Sequence, residues 1–175
     1  MPGADNYLCL IAMKIINKGK IFIVFLLTIG FAKTTSAQQF EKAAFYKVMD
    51  SGDLSAINAQ IEVVKASESN NKIGYEGALL MRKADKVTLP SQKLKYFKAG
   101  RIKLETALLS DADNTEYHFL RLAIEEHAPK IVKYHNDIEQ DKAIVQKNFK
   151  NLSQSVQHAI IDYCKNSKVL HAEDF

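Results

Sequence analysis

Apolar residues recur at three- and four-residue steps through most of the chain after position 40, and polar clusters cut the pattern into short lengths. Leu54, Ile57, Ile61 and Val64 show the spacing most plainly. Steps of 3, 4 and 3 put all four side chains on one stripe of an α-helix, whereas a half-buried strand needs strict alternation. With only 7 Gly and 3 Pro, turn-forming residues are too sparse for a β fold. The fold class read from the sequence is all-α.

The breakers divide the pattern into elements. A first helix carries Phe40, Ala44, Val48 and Met49 and stops at residues 50–53, where Asp53 is a candidate N-cap for the helix that follows. A third carries Ile73, Gly77, Leu80, Ala84 and Val87 on one face, with Arg82, Lys83 and Lys86 on the other. After Leu89, Pro90 and Ser91, a fourth presents Leu94, Phe97, Leu104 and Leu108. A mid-helix glycine costs about 1 kcal/mol relative to alanine. Gly77 and Gly100 are therefore expected where helices cross closely. Asp113 followed by Glu116 has capping-box spacing for a fifth helix with Tyr117, Leu120 and Ile124 inward, and Pro129 either ends that helix or opens a short next one. Further helices are predicted at 139–149 and 153–164, the last burying Val156, Ile160 and Tyr163. Residues 165–175 keep no period and are expected to fray.

The N-terminal part follows a different rule. Lys14, Lys18 and Lys20 precede an unbroken apolar run at 21–31, and Thr35, Ser36 and Ala37 supply small residues at the cleavage positions. This is the pattern of a cleaved signal peptide. The run is too short for a transmembrane helix, which needs about 20 residues. Residues 1–37 are read as the signal, with Met13 as the true start, followed by one helical domain at 38–164 and the tail at 165–175. The membrane is met only through the uncleaved signal. The expected location is periplasmic or extracellular.

Removing residues 1–37 takes away Lys14, Lys18, Lys20 and Lys33 against Asp5, so the net charge falls from +4 to +1. The basic pI is partly a targeting feature, and it argues against a nucleic-acid partner, which needs a clustered basic surface. Cys164 is then the only cysteine, read as a small buried hydrophobe one turn after Ile160. An intermolecular disulfide or a reactive thiol is the alternative.

Residues 97–117 (FKAGRIKLETALLSDADNTEY) resemble the second helix and inter-repeat turn of a tetratricopeptide repeat, with Gly100, Leu104 and Ala107 at the small-large-small positions. Ala112 stands where that motif usually has proline, and the resemblance covers about one repeat. The chain also resembles a group of small exported helical proteins of Bacteroidota-type bacteria, at residues 74–84, 116–124, 128–134 and 137–142. That resemblance implies export and stacked antiparallel helical hairpins, either tetratricopeptide-like or an irregular bundle. It transfers no site residue.

No reaction chemistry stands out. His118, His127 and His135 with Asp137, Glu139 and Asp141 lack metal-ligand spacing: there is no His-Glu-x-x-His and no Glu-x-x-His pair. No Gly-x-Ser-x-Gly elbow or phosphate loop occurs. The sequence therefore points to no catalytic residue, no metal and no cofactor, and an enzyme is not the favoured class. Arg121 sits inside an apolar segment. It is either a structural arginine pairing with Glu125, Asp111 or Asp113, or a carboxylate-binding group for a partner. The leading expectation is a non-catalytic interaction module for a protein or peptide partner in the cell envelope, with Arg82, Lys86 and Arg121 as candidate contact residues. The alternative is a small helical enzyme or small-ligand carrier.

Overall fold

The computed structural model describes residues 40–69 and 71–175. The signal segment at 1–37 and the start at Met13 lie outside the described residues. The described part is all-helical, in agreement with the spacing. Its helices are α1 (Lys42–Ser51), α2 (Leu54–Ala66), α3 (Lys72–Lys86), α4 (Pro90–Ser110), α5 (Thr115–His127), α6 (Ile138–Asn148) and α7 (Gln154–Cys164). Short 3-10 turns lie at Lys130–Val132, Phe149–Asn151 and Ala172–Asp174.

Local chemistry explains the first breaks. Gly52, at φ 63°, takes the left-handed conformation that ends α1, and its N–H bonds the Val48 carbonyl. Asp53 caps α2 as predicted, its carboxylate accepting from the Ala56 N–H at 2.6 Å.

α3 and α4 are held together through their glycines. A Cβ on Gly77 would stand 2.7 Å from the Leu104 backbone nitrogen and 2.8 Å from the Gly100 carbonyl oxygen. One on Gly100 would stand 2.5 Å from the Gly77 oxygen. Passing from Gly77 to Met81 along α3 runs back from Leu104 to Gly100 along α4, so the pair is antiparallel. Neither backbone can be approached this closely by a residue with a side chain.

Three expectations about faces and one about a cap need correction. Leu54, Ile73 and Leu94 are exposed, at 36%, 43% and 49%; Leu54 is the first residue of α2, with no helical turn before it to cover it. α3 packs against α2, α4 and α5, so its buried arc is broad and includes Gly74, Tyr75, Ala78, Leu79 and Met81. Leu94 lies about 80° round α4 from the buried Leu104, off the contact arc. The N-cap of α5 is Asn114 and not Asp113: its side chain accepts from the Tyr117 N–H at 3.2 Å. Glu116 turns away from the helix end to meet Lys42 Nζ at 2.5 Å and the Tyr46 hydroxyl at 2.8 Å.

The C-terminal residues do not fray. Leu170 is fully buried, and the Phe175 ring lies 4.4 Å from that of Phe149. Glu126 of α5 accepts from Ser167 Oγ at 2.7 Å and from the Lys168 N–H at 2.6 Å. The segment shows no period because it is an irregular strap, held by side-chain bonds and two apolar anchors.

α5 is the central element. It is enclosed by α3, α4 and α6 and buries Tyr117, Phe119, Leu120 and Leu122 together with Glu116, His118, Arg121 and Glu125. α1 packs on both α2 and α7, so the two ends of the helical array meet.

Candidate functional site

Burying four ionisable side chains on one helix is unfavourable unless each finds a partner. Three of them, with residues from α4, α6 and the 130–137 connection, form one polar network. Asp141 of α6 is fully buried. Its carboxylate takes Arg121 Nε at 2.8 Å, Arg121 Nη2 at 2.7 Å and His118 Nδ1 at 2.6 Å. The arginine contact is bidentate, the geometry in which a guanidinium binds a carboxylate most strongly. Arg121 Nη1 continues to Glu105 of α4 at 3.2 Å and Asp137 at 3.6 Å. Tyr134 donates its hydroxyl to the other Glu105 oxygen at 2.5 Å, and Arg101 lies 4.8 Å over the Tyr134 ring.

The His118 ring has acceptors on both sides, since Nε2 faces the Ala112 carbonyl at 2.8 Å. Only the doubly protonated ring donates to both. Burial works against that charge, but the Asp141 and Ala112 bonds outweigh it and raise the imidazole above its ordinary value. Arg121 is likewise raised: burial opposes its charge, and the Asp141, Asp137 and Glu105 carboxylates more than compensate. The Glu125 carboxyl is raised by burial, with the charges of Asp137 and Asp141 adding to the effect. Its Oε2 accepts the Asp137 N–H at 3.0 Å, while Oε1 has no partner.

The arrangement is suited to joining α4, α5 and α6. Its polar atoms are mostly committed to one another, and among the described residues no Ser or Thr hydroxyl and no thiol shares their hydrogen bonds. The one hydroxyl, on Tyr134, is raised by burial and by its Glu105 bond, which makes it a poor base or nucleophile. Among the described residues, no group of three His, Cys, Asp or Glu side chains could hold a metal ion. No helix among them is long and apolar enough to cross a membrane.

The three candidate contact residues lie in different settings. Arg121 is the centre of the network, and its partners are Asp141, Glu105 and Asp137 rather than Glu125, Asp111 or Asp113. Arg82 bonds the Met49 carbonyl at 2.8 Å and the Asp50 carbonyl at 3.1 Å, closing the carbonyl end of α1. Lys86 lies beside Gly52 and pairs with Asp85 at 2.8 Å. Arg82 and Lys86 thus share one turn, and Arg121 serves a separate contact. Cys164 is buried, and burial raises its thiol above the usual value, which disfavours the reactive thiolate.

The outer side of α4 was not singled out by sequence reasoning. Ile102 is 68% exposed and Leu109 87%. They stand one heptad apart, opposite the glycine-lined face, and Leu94 extends the row toward the helix start. Lys95, Lys98 and Arg101 are exposed beside them, and none of the three forms an ion pair among the described residues. The legible signal was apolar residues on both sides of one helix, Leu104 and Leu108 on one and Ile102 and Leu109 on the other.

No protein-family model, curated protein or solved structure matches this chain.

Proposed function

We propose that this chain is an exported, non-catalytic interaction module, and that a protein or peptide partner docks on the outer face of α4. The observation that carries the reading is the row of Leu94, Ile102 and Leu109, left in water by a helix that buries Gly100, Leu104, Ala107 and Leu108 on its other face. The three stand about 10 to 12 Å apart along one stripe, with Lys98 and Glu105 between them, and exposed apolar residues aligned on one face and rimmed by charge are the kind of feature that interaction surfaces present. The Lys130–Val132 turn adds Ile131 at 89% exposure, between Lys130 and Lys133. Tyr134, next in the chain, packs on Phe97 of α4. The meeting of α1 with α7 favours the irregular-bundle form of the hairpin architecture over an open repeat stack, in which each unit touches only its neighbours.

The enzyme or carrier alternative would draw on the Arg121 network, but those groups are spent on one another. Export rests on the N-terminal pattern alone. N-terminal sequencing of the native protein is expected to begin at Gln38, and retention of residues 13–37 would refute it.

The docking reading is tested in cells by placing a photo-reactive residue at 102, at 109 or, as a control on α1, at 47. Adducts with a polypeptide at 102 and 109 but not 47 are expected. Equal labelling at all three positions, or none at 102 and 109, would overturn it.

A further inference from the structure

We infer that the partner on this face is a second copy of the chain, paired α4 against α4, antiparallel, about a two-fold axis beside Ile102; this rests on the docking reading above. A two-fold interface must be complementary to itself, so each feature on one side of the axis needs its complement on the other. The outer face of α4 meets that requirement in both apolar and charged residues.

Leu94 lies eight residues before Ile102 and Leu109 seven after, about 12 Å and 10 Å along the axis. Turning a second copy about Ile102 therefore seats Leu94 against the partner's Leu109, and Leu109 against the partner's Leu94. At about 100° per residue, Leu94, Lys98, Ile102 and Leu109 fall within roughly 80° of the circumference, a stripe that one facing helix can cover.

The charges divide at the same point. On this face Lys95 and Lys98 precede Ile102 and half-buried Glu105 follows it, with Asp111 and Asp113 exposed in the turn beyond the helix; Arg101 and Lys103 each lie about 100° off the face, and Lys103 is paired with Glu76. Asp137 and Glu105 are both paired with Arg121, so the negative character of that end comes from Asp111 and Asp113. The rotation that joins the leucines brings Lys98 to the level of the partner's Glu105, whose oxygens already accept from Arg121 and Tyr134, and sets Lys95 beside the partner's Leu109, about 3 Å along the axis from the partner's Asp111. Parallel pairing would set like charge on like. A uniformly anionic surface, such as an acidic lipid bilayer, would attract one half of the face and repel the other. With residues 1–37 removed the net charge is +1, so repulsion between whole molecules offers little resistance to association.

A single pair of helices about 31 Å long lies near the lower bound of about 1,000 Å² for a specific interface. The dimer should therefore exchange with monomer at micromolar concentration.

Sedimentation velocity on the protein recovered from cells, over a range of about 1 to 200 µM, reads this directly. A reversible monomer–dimer equilibrium is expected, and Ile102→Glu or Leu109→Glu should weaken it at least about ten-fold with unchanged circular dichroism and Tm. Both positions are exposed, so folding is not at risk. Ile102→Cys should cross-link to itself under mild oxidation while Lys47→Cys does not, because native Cys164 is buried. Lys95→Glu/Lys98→Glu should also shift the equilibrium to monomer.

A monomer at all concentrations, or a dimer indifferent to Ile102→Glu, overturns the inference. So does retention of the protein on phosphatidylglycerol vesicles lost with Lys95→Glu/Lys98→Glu while the protein stays monomeric. If the protein is monomeric but position 109 cross-links in cells to a different polypeptide, the second copy is refuted and the docking reading survives.

Discussion

Replacing Asp141 by asparagine tests the central network with almost no change in volume. The carboxylate is fully buried and accepts three bonds from cationic donors, at 2.6, 2.7 and 2.8 Å. Hydrogen bonds to charged groups contribute about 1.5 to 3 kcal/mol each. The three are not additive, because the asparagine oxygen keeps one while its NH2 is turned toward donors. Removing one partner of a buried ion pair costs about 3 to 5 kcal/mol, and Asp141→Asn should fall in that range.

Urea denaturation followed by far-UV circular dichroism measures the loss. Thermal melting should show a drop of roughly 10 °C, at about 2 to 4 °C per kcal/mol for a domain of this size. A second readout comes from His118. Its folded pKa is raised above the unperturbed value of about 6.5. Its stabilisation is therefore fully present below that value and is lost as pH rises through the folded pKa. Asp141→Asn should flatten this pH dependence as well as lower the midpoint. Replacing Asp141, Arg121 and His118 together by leucine, methionine and leucine should recover part of the loss, since the fully buried Asp141 charge goes together with its two cationic partners, while the Glu105 and Asp137 carboxylates that Arg121 leaves are about one-third exposed. A loss below about 1 kcal/mol for Asp141→Asn, with the pH profile retained, would mean that Glu105 and Asp137 suffice for Arg121 and the Ala112 carbonyl for His118, and the reasoning fails.

Other expectations follow from packing. Gly77→Ala should destabilise by about 1 to 3 kcal/mol, the usual cost of overpacking, because its Cβ meets the backbone of α4; an unchanged urea midpoint would contradict the crossing. Leu104→Ala should cost about 2 to 5 kcal/mol and Leu109→Ala less than about 0.5 kcal/mol, a contrast that denaturation of the two variants at monomeric concentration resolves. Deleting residues 166–175 should lower stability by at least about 2 kcal/mol through loss of Leu170 alone, and limited proteolysis should then cut near α7; equal resistance would restore the view of a frayed tail. Glu126 is held below the ordinary carboxylate range: burial opposes this, but Tyr163, the Lys168 N–H and Ser167 prevail. Its share of stability is present above the unfolded carboxylate value and is lost as pH falls through the folded one. Glu126→Gln should remove that acid-side dependence from a pH series of melts.

The sequence by itself determined the helices, because the signals that make them are local. The 3-4-3 spacing of α2, Asp53 at its start, Gly52 before it and Pro90 at the start of α4 act within one or two turns of chain. Gly77 and Gly100 were legible as crossing points for a related reason: a glycine inside a helix is unfavourable unless something comes close to it. Only the tertiary structure decided which glycine met which. It also decided the partners of Arg121, whose nearest carboxylate in sequence, Glu125, turns to the Asp137 N–H while Asp141 arrives from another helix 20 residues away. The strap at the C-terminus and the exposed row on α4 were hidden for the same physical cause. A residue's burial depends on which elements surround it, and periodicity within one helix does not say how many neighbours that helix will have. α5 shows the limit most clearly, since four of its charged or ionisable side chains are inside, each placed there by a packing arrangement that no local pattern encodes.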